Sequence, residues 1–176
     1  WRSALSGYEA QVRDAFAHID QANPGHMNRY HFYRALLMVT EAIKGFASKY
    51  SRKALELAAQ EPDLTRKDEL LLISEIAGRV PCYGARSFYE ALQAVSFVIA
   101  LMHIEGTGPV YTLGRIDQYL YPFYKADIDK GILNRERAQE LIECLFIKLN
   151  GTIRLSDNDS ARNAPGYKQN LTISLG

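Results

Sequence analysis

Residues 88–103 constrain this chain more than any other stretch. At helical spacing they place Ala91, Leu92, Val95, Phe97, Val98, Ile99, Leu101 and Met102 on nearly every side of one helix. A helix without a polar face is buried all round, so the fold has to wrap other elements around it. Ser87 with Glu90 three residues on supplies a capping box at its start. The uncharged run from Ala91 to Met102 is too short to span a bilayer. In a chain of 176 residues, so much burial leads us to expect that further protein surrounds this piece.

The other segments read mainly as helices. The spacing predicts a helix over about 2–18, with Tyr8, Val12, Ala15 and Phe16 apolar, closed by the breaker Asn23-Pro24-Gly25. A long helix over about 27–60 carries the stripe Phe32, Leu36, Val39, Ile43, Phe46, Tyr50, Ala54 and Leu57. Gly45 inside it suggests a kink or a close packing contact. Thr65 with Asp68 reads as a capping box for a helix over about 65–77, whose apolar residues are Leu70, Leu71, Ile73, Ile76 and Ala77. After the break at residues 105–109, Tyr111–Gly114 reads as a short strand or turn. A helix over about 117–130 follows, interrupted by Pro122 and ended by Gly131. Asn134 caps a last helix over about 134–149 that presents Ala138, Leu141, Ile142, Leu145 and Leu149. Polar, turn-rich sequence leads to a strand over about 169–175, where Leu171, Ile173 and Leu175 alternate with Thr172 and Ser174. The expected organisation is one partial domain over 1–176, mainly α with a few short strands.

Composition narrows the function classes. Hydrophobic residues make up 47% and charged residues 23%, which argues against disorder. The formal charge of +1 gives no bulk reason to bind nucleic acid or an anionic membrane. Two cysteines make no disulfide framework, so a reducing, cytoplasmic compartment is expected.

Most chemical motifs are missing. His18, His26, His31 and His103 lack metal-ligand spacing and read as surface or capping residues, so no metal is expected. Cys144, between apolar neighbours in a helix, reads as a small core residue. Cys82 lies in the connector Val80-Pro81-Cys82-Tyr83-Gly84, which could face a cavity, but no base stands beside it in the sequence. Gly106-Thr107-Gly108 lacks a phosphate-loop signature, and Asp157 with Asp159 reads as a solvated loop. One unit stands apart, Gly114-Arg115-Ile116-Asp117-Gln118 at the mouth of a helix. Its structural reading is that Arg115 pins a loop and Asp117 caps the helix; its functional reading is that Arg115, Asp117 and Gln118 shape the wall of a site.

That unit belongs to an ordered set. Val80-Pro81, then Ser87 to Gln93, then Gly114-Arg115-Ile116-Asp117-Gln118-Tyr119-Leu120-Tyr121-Pro122-Phe123-Tyr124, resembles the large domain of the glycyl radical enzymes, the family of pyruvate formate-lyase and its dehydratase and lyase relatives. Asp127-Ile128-Asp129-Lys130-Gly131, Cys144 to Leu149 and Gln169 to Ile173 follow in the family's order, so the resemblance covers roughly 29–176.

The resemblance implies a barrel of ten strands jacketed by helices. It implies a radical stored on a backbone glycine, relayed through a cysteine thiyl to a small-molecule substrate, with a glutamate two residues after that cysteine in the dehydratase and lyase branches. It also implies a separate activating enzyme with an iron–sulfur cluster and S-adenosylmethionine, a homodimer, and anaerobic life. No cofactor is expected to bind this stretch directly. Cys82 is followed by Tyr83 and Gly84, and Cys144 by Leu145 and Phe146, so neither makes the Cys-x-Glu pair, and the radical-glycine loop is not present. No catalytic residue is therefore expected here, and the 176 residues alone are expected to be inactive, as a portion of a longer enzyme.

By resemblance, Pro109 and Val110 stand where glycerol-dehydratase-like members place a diol-contacting His-Ser pair. Neither can donate a side-chain hydrogen bond, which argues against a glycerol-like diol. Tyr167 and Lys168 match positions that face the barrel cavity in the family; an inward Lys168 favours an anionic substrate, and an exposed one has no such role. The alternative is a non-catalytic helical interaction module derived from the family, binding a partner through the 88–103 helix.

Overall fold

The structure is a computed structural model that describes residues 4–105, 111–151, 162 and 171–176. The chain forms two compact units, residues 1–85 and 86–176.

The first unit is helical. α1 spans Leu5–Ala17 and a 3-10 turn spans Pro24–His26. α2 spans Met27–Gln60 and α3 Leu64–Arg79. The 3-10 turn is set by Asn23, whose side chain accepts from the Gly25 N–H at 2.9 Å. α2 and α3 form an antiparallel pair along a seam of small residues. The buried positions of α2 are Thr40, Ala47, Ala54 and Ala58, set mainly in steps of seven, and those of α3 are Leu70, Ile76 and Ala77. Small side chains bring the helices close enough for reciprocal bonding. Ser51 Oγ donates to the Ser74 carbonyl at 2.8 Å, and Ser74 Oγ donates to the Ser51 carbonyl at 2.9 Å.

Three expectations are corrected here. The predicted stripe on α2 is only partly its buried face: Ala54 is buried and Leu36, Ile43 and Phe46 are half-buried, but Phe32, Val39, Tyr50 and Leu57 are exposed. Periodicity locates an apolar face, but the partner selects small residues for close approach. A Cβ added at Gly45 would meet nothing within 4 Å, so no close packing contact requires the glycine, and α2 runs through it unbroken. The cap of α3 is Asp63, not Thr65: its carboxylate accepts from the Arg66 N–H at 2.7 Å, and Thr65 already lies inside the helix.

The second unit contains α4 (Phe88–Glu105), β1 (Tyr111–Arg115), α5 (Ile116–Asp129), α6 (Arg135–Asn150) and β2 (Leu171–Ser174). α4 packs against α5 and α6. Its first half is buried as the apolar pattern requires, through Phe88, Ala91, Leu92, Ala94, Val95 and Phe97. Its second half opens. Ile99 stays buried, but Val98, Met102 and Ile104 are 38%, 41% and 71% exposed, so all-round burial does not extend to its end. α6 contributes Ala138, Leu141, Leu145 and Leu149 to this core, as its spacing predicts. Asn134 caps it, accepting from the Arg137 N–H at 2.8 Å. Cys144 is exposed, which corrects its reading as a core residue: helical rotation carries it to the side of the face that buries Leu141 and Leu145. Gly131 ends α5 at φ +67°, a left-handed conformation that glycine adopts without a Cβ penalty.

β1 and β2 form a two-stranded parallel sheet. Tyr111–Gly114 is therefore strand and not turn. A bulge separates the Thr112–Thr172 pairing from the Gly114–Ile173 pairing, and Gly114 has φ +66°.

Candidate functional site

The carboxyl end of β1 leads directly into α5, and the polar side chains of the motif gather there. Arg115 holds Asp117 through two parallel bonds, Nε to Oδ1 at 3.0 Å and Nη2 to Oδ2 at 2.9 Å. Gln118 Nε2 donates to the same carboxylate at 3.1 Å. Arg115 Nη2 also donates to the main-chain carbonyl of Gly176, just past the end of β2. Arg115 therefore ties the two strand ends together. The Arg115 guanidinium and the Gln118 amide hold the Asp117 carboxyl below its ordinary range. Asp117 lies in the first turn of α5, where the helix dipole favours a carboxylate. Beneath the unit, the Tyr119 O–H donates to the Leu113 carbonyl at 3.0 Å, and burial pushes its pKa up.

Arg115, Asp117 and Gln118 are thus one cluster, and all of its charge is paired within it. It can position chain and present hydrogen bonds; it contains no nucleophile and no unpaired acid or base. Pro109, Val110, Tyr167 and Lys168 lie outside the described residues.

Cys82 is half-buried, and its main-chain carbonyl accepts from the Ser6 N–H at 3.0 Å. Burial pushes its thiol pKa up, against a smaller opposing pull from Lys44, so the thiolate is disfavoured. Lys44 bonds Glu9 at 2.9 Å and stands 3.1 Å from Glu41. Lys44 first, then Arg13, holds the Glu9 carboxyl below its ordinary range. His18 and His103 each point Nδ1 at the carbonyl four residues earlier. Among the described residues, no group of three or more His, Cys, Asp or Glu side chains could hold a metal ion, and no helix is long and apolar enough to cross a membrane.

Comparison with known proteins decides the family. The model of the family described as pyruvate formate lyase-like matches residues 2–176. The chain belongs to that family. It is 34% identical over 177 residues to the (2S)-3-sulfopropanediol dehydratase of Klebsiella oxytoca, covering 95% of this chain and 21% of that enzyme. It is 38% identical over 170 residues to an isethionate sulfite-lyase of Nitratidesulfovibrio vulgaris, covering 94% of this chain and 20% of that enzyme. A solved structure concerned with 1,2-propanediol dehydration in Roseburia inulinivorans superposes with a TM-score of 0.92 at 34% identity, covering 98% of this chain and 21% of that one. The chain therefore spans about a fifth of the length of these pyruvate formate lyase-like relatives.

Two buried carboxylates, Asp127 and Glu90, hold this part of the family fold in place. Asp127 is 4% exposed, and its Oδ2 accepts from the Phe88 N–H at 2.8 Å, so a carboxylate on α5 caps the start of α4. Its main-chain carbonyl accepts from the Ile132 and Leu133 N–H groups and closes α5. Glu90, also buried, accepts from the Arg86 N–H at 2.6 Å and from the Arg86 guanidinium. The Ser87–Glu90 spacing signals the Glu90 cap, though the backbone donor is Arg86 and not Ser87. Ser87 Oγ accepts from the Glu90 N–H at 3.2 Å. Nothing local signals Asp127, which acts 39 residues from its partner.

Proposed function

We propose that this chain is the barrel-wall and helical-jacket portion of a glycyl radical enzyme of the dehydratase and lyase branch. The full-length enzyme cleaves a C–O, C–N, C–S or C–C bond of a small polar substrate by thiyl-radical chemistry. The observation that carries this reading is the family match over residues 2–176 combined with coverage of about a fifth of each relative. A dehydratase and a sulfite-lyase among those relatives point to C–O and C–S bonds.

In this reading, residues 1–176 supply architecture and part of the substrate wall, and by themselves do no chemistry. Neither Cys82 nor Cys144 starts a Cys-x-Glu pair, and burial raises the Cys82 thiol pKa. The thiyl cysteine and the radical glycine belong to the remainder of the chain, within a ten-stranded barrel that β1 and β2 help to build. The radical is installed by an activating enzyme with an iron–sulfur cluster and S-adenosylmethionine, and the enzyme is a cytoplasmic homodimer. Pro109 and Val110 give the substrate no side-chain donor, which disfavours glycerol, and Lys168 beside Tyr167 favours an anionic group if it points into the cavity.

The deciding experiment has two parts. Downstream reading frame is searched for a Cys-x-Glu loop and a terminal glycine loop. The full-length protein is then treated anaerobically with activating enzyme and S-adenosylmethionine, and its electron paramagnetic resonance spectrum is recorded. A glycine-centred radical supports the reading; a complete gene ending near Gly176 defeats it.

The exposed Val98, Met102 and Ile104 on α4 favour a second reading, a helical module that binds a partner. Sizing and hydrophobic-dye binding of the 176-residue protein test it. A dye-negative monomer counts against it.

A further inference from the structure

Within the first unit, α1 is held in a different way from α2 and α3. None of its side chains is buried, whereas α2 and α3 bury Ala47, Ala54, Ala58, Leu70, Ile76 and Ala77. Its attachment is mainly polar. At its start, the Ser6 N–H, one of the donors a helix leaves without an intrahelical partner, donates to the Cys82 carbonyl at 3.0 Å. In its middle, Glu9 Oε2 accepts from Lys44 Nζ of α2 at 2.9 Å, and Glu9 Oε1 accepts from Arg13 Nη2 at 2.6 Å. The Glu9 side chain is 12% exposed and that of Lys44 30%, so the pair that crosses between the helices is the sheltered part of this network. At its end, the Phe16 ring lies 5.2 Å from that of Tyr30. The connection from α1 to α2 is short and makes its own turns, with Asp20 accepting from the Ala22 N–H and Asn23 from the Gly25 N–H, both at 2.9 Å. Those turns do not depend on α1 staying docked.

We infer that α1 is a releasable strap, latched to α2 by the Glu9–Lys44 pair and opened as ionic strength rises, and that its release uncovers the 80–84 connector with the Cys82 thiol. An element that buries no side chain opens at little apolar cost, so local release precedes unfolding of the α2–α3 pair. Its hold is electrostatic, and salt shortens the reach of charge from about 10 Å at 0.1 M to about 3 Å at 1 M. The short connection keeps the freed helix at high effective concentration beside its dock, so release reverses when the salt is removed. Cys82 lies at the junction. Its main chain bonds Ser6, its side chain is half-buried, and Lys44, Glu9 and Glu41 stand close enough to act on its thiol. In this arrangement Cys82 reports the position of the strap and has no chemical part. Every residue involved lies in the first unit, so the inference stands apart from the radical reading.

The test uses the full-length protein at one pH. Amide hydrogen exchange is read peptide by peptide, and alkylation of Cys82 by iodoacetamide is read by peptide mass spectrometry. At low salt, Lys44→Met and Glu9→Gln should each speed exchange in α1 about threefold, the worth of one partly screened ion pair, and leave the α2–α3 seam unchanged. Lys44→Arg, which keeps the charge, should match the parent. Sodium chloride at about 1 M should speed α1 exchange in the parent and not in Glu9→Gln. Alkylation of Cys82 should rise whenever α1 is released. Lys44→Met makes that reading decisive: it removes the cation that pulls the thiol pKa down, so the thiol itself becomes less reactive and a faster reaction comes from exposure. The inference is overturned if α1 exchange is unchanged in both variants, if the seam accelerates as much as α1, or if Cys82 alkylation slows in Lys44→Met. Should neither variant fold, the parent decides, and α1 exchange that does not respond to salt overturns the strap.

Discussion

The α2–α3 pair and the α4 core solve the same packing problem with opposite materials. α2 meets α3 through Ala47, Ala54 and Ala58, with two serines bonding to each other's main chain across the seam. Little apolar area is available from alanine, so close backbone approach and hydrogen bonds have to specify the pairing. α4 instead buries Phe88, Leu92, Val95, Phe97 and Ile99, where area burial dominates. Its start is then fixed by two buried carboxylates, Asp127 and Glu90, which satisfy backbone N–H groups a helix leaves unpaired. A seam of small residues tolerates little added volume, whereas a core of large residues tolerates little loss.

That contrast can be broken at several points. Phe97→Ala should cost about 3–5 kcal/mol, since it removes a buried aromatic and leaves a cavity, and urea unfolding would measure it. Asp127→Ala should cost about 1–3 kcal/mol by leaving the Phe88 N–H buried without a partner. Asp127→Asn, which keeps an acceptor, should cost less, and hydrogen exchange at Phe88 should accelerate in the alanine variant. In the seam the sign reverses: Ala47→Leu adds volume and should destabilise by about 1–3 kcal/mol. If Ala47→Leu is neutral, the seam is looser than its burial indicates and the contrast fails. Gly114→Ala meets no atom within 4 Å, so its cost is backbone alone, about 1–2 kcal/mol for a left-handed residue. Circular dichroism melts would read that loss.

The smallest effect is electrostatic. The folded-state pKa of Glu9 is lowered by Lys44 and Arg13. Its contribution is therefore present above the unfolded carboxylate pKa and is lost as pH falls through the lower folded value. Glu9→Gln should flatten the acid limb of a stability-against-pH curve by slightly lowering the neutral region, with the low-pH end unchanged. An unaltered acid limb would show that solvent screens the pair completely.

The helices were legible because their signals are local. The 27–60 helix matches Met27–Gln60, and Asn134 and Gly131 act as the cap and stop their chemistry dictates. The motif order Gly114 to Tyr124 also carried the family, since it depends on sequence alone. What stayed hidden depends on partners. The stripe from Phe32 to Leu57 is periodic throughout, and nothing in its pattern says that Ala54 is buried while Phe32, Val39, Tyr50 and Leu57 stay exposed. Cys144 has apolar neighbours in sequence, but helical rotation turns it away from Leu141 and Leu145.

The candidate site divides in the same way. Sequence determined that Arg115, Asp117 and Gln118 act together, because residues so close at a helix start can hardly avoid one another. It also determined that β2 alternates apolar and hydroxyl residues. Only the tertiary structure decided which face Arg115 joins, because a bulge is a property of two strands in register and not of either one. Only the fold, likewise, could bring Asp127 to the start of α4, since a cap supplied from another helix is chosen by packing and leaves no local trace.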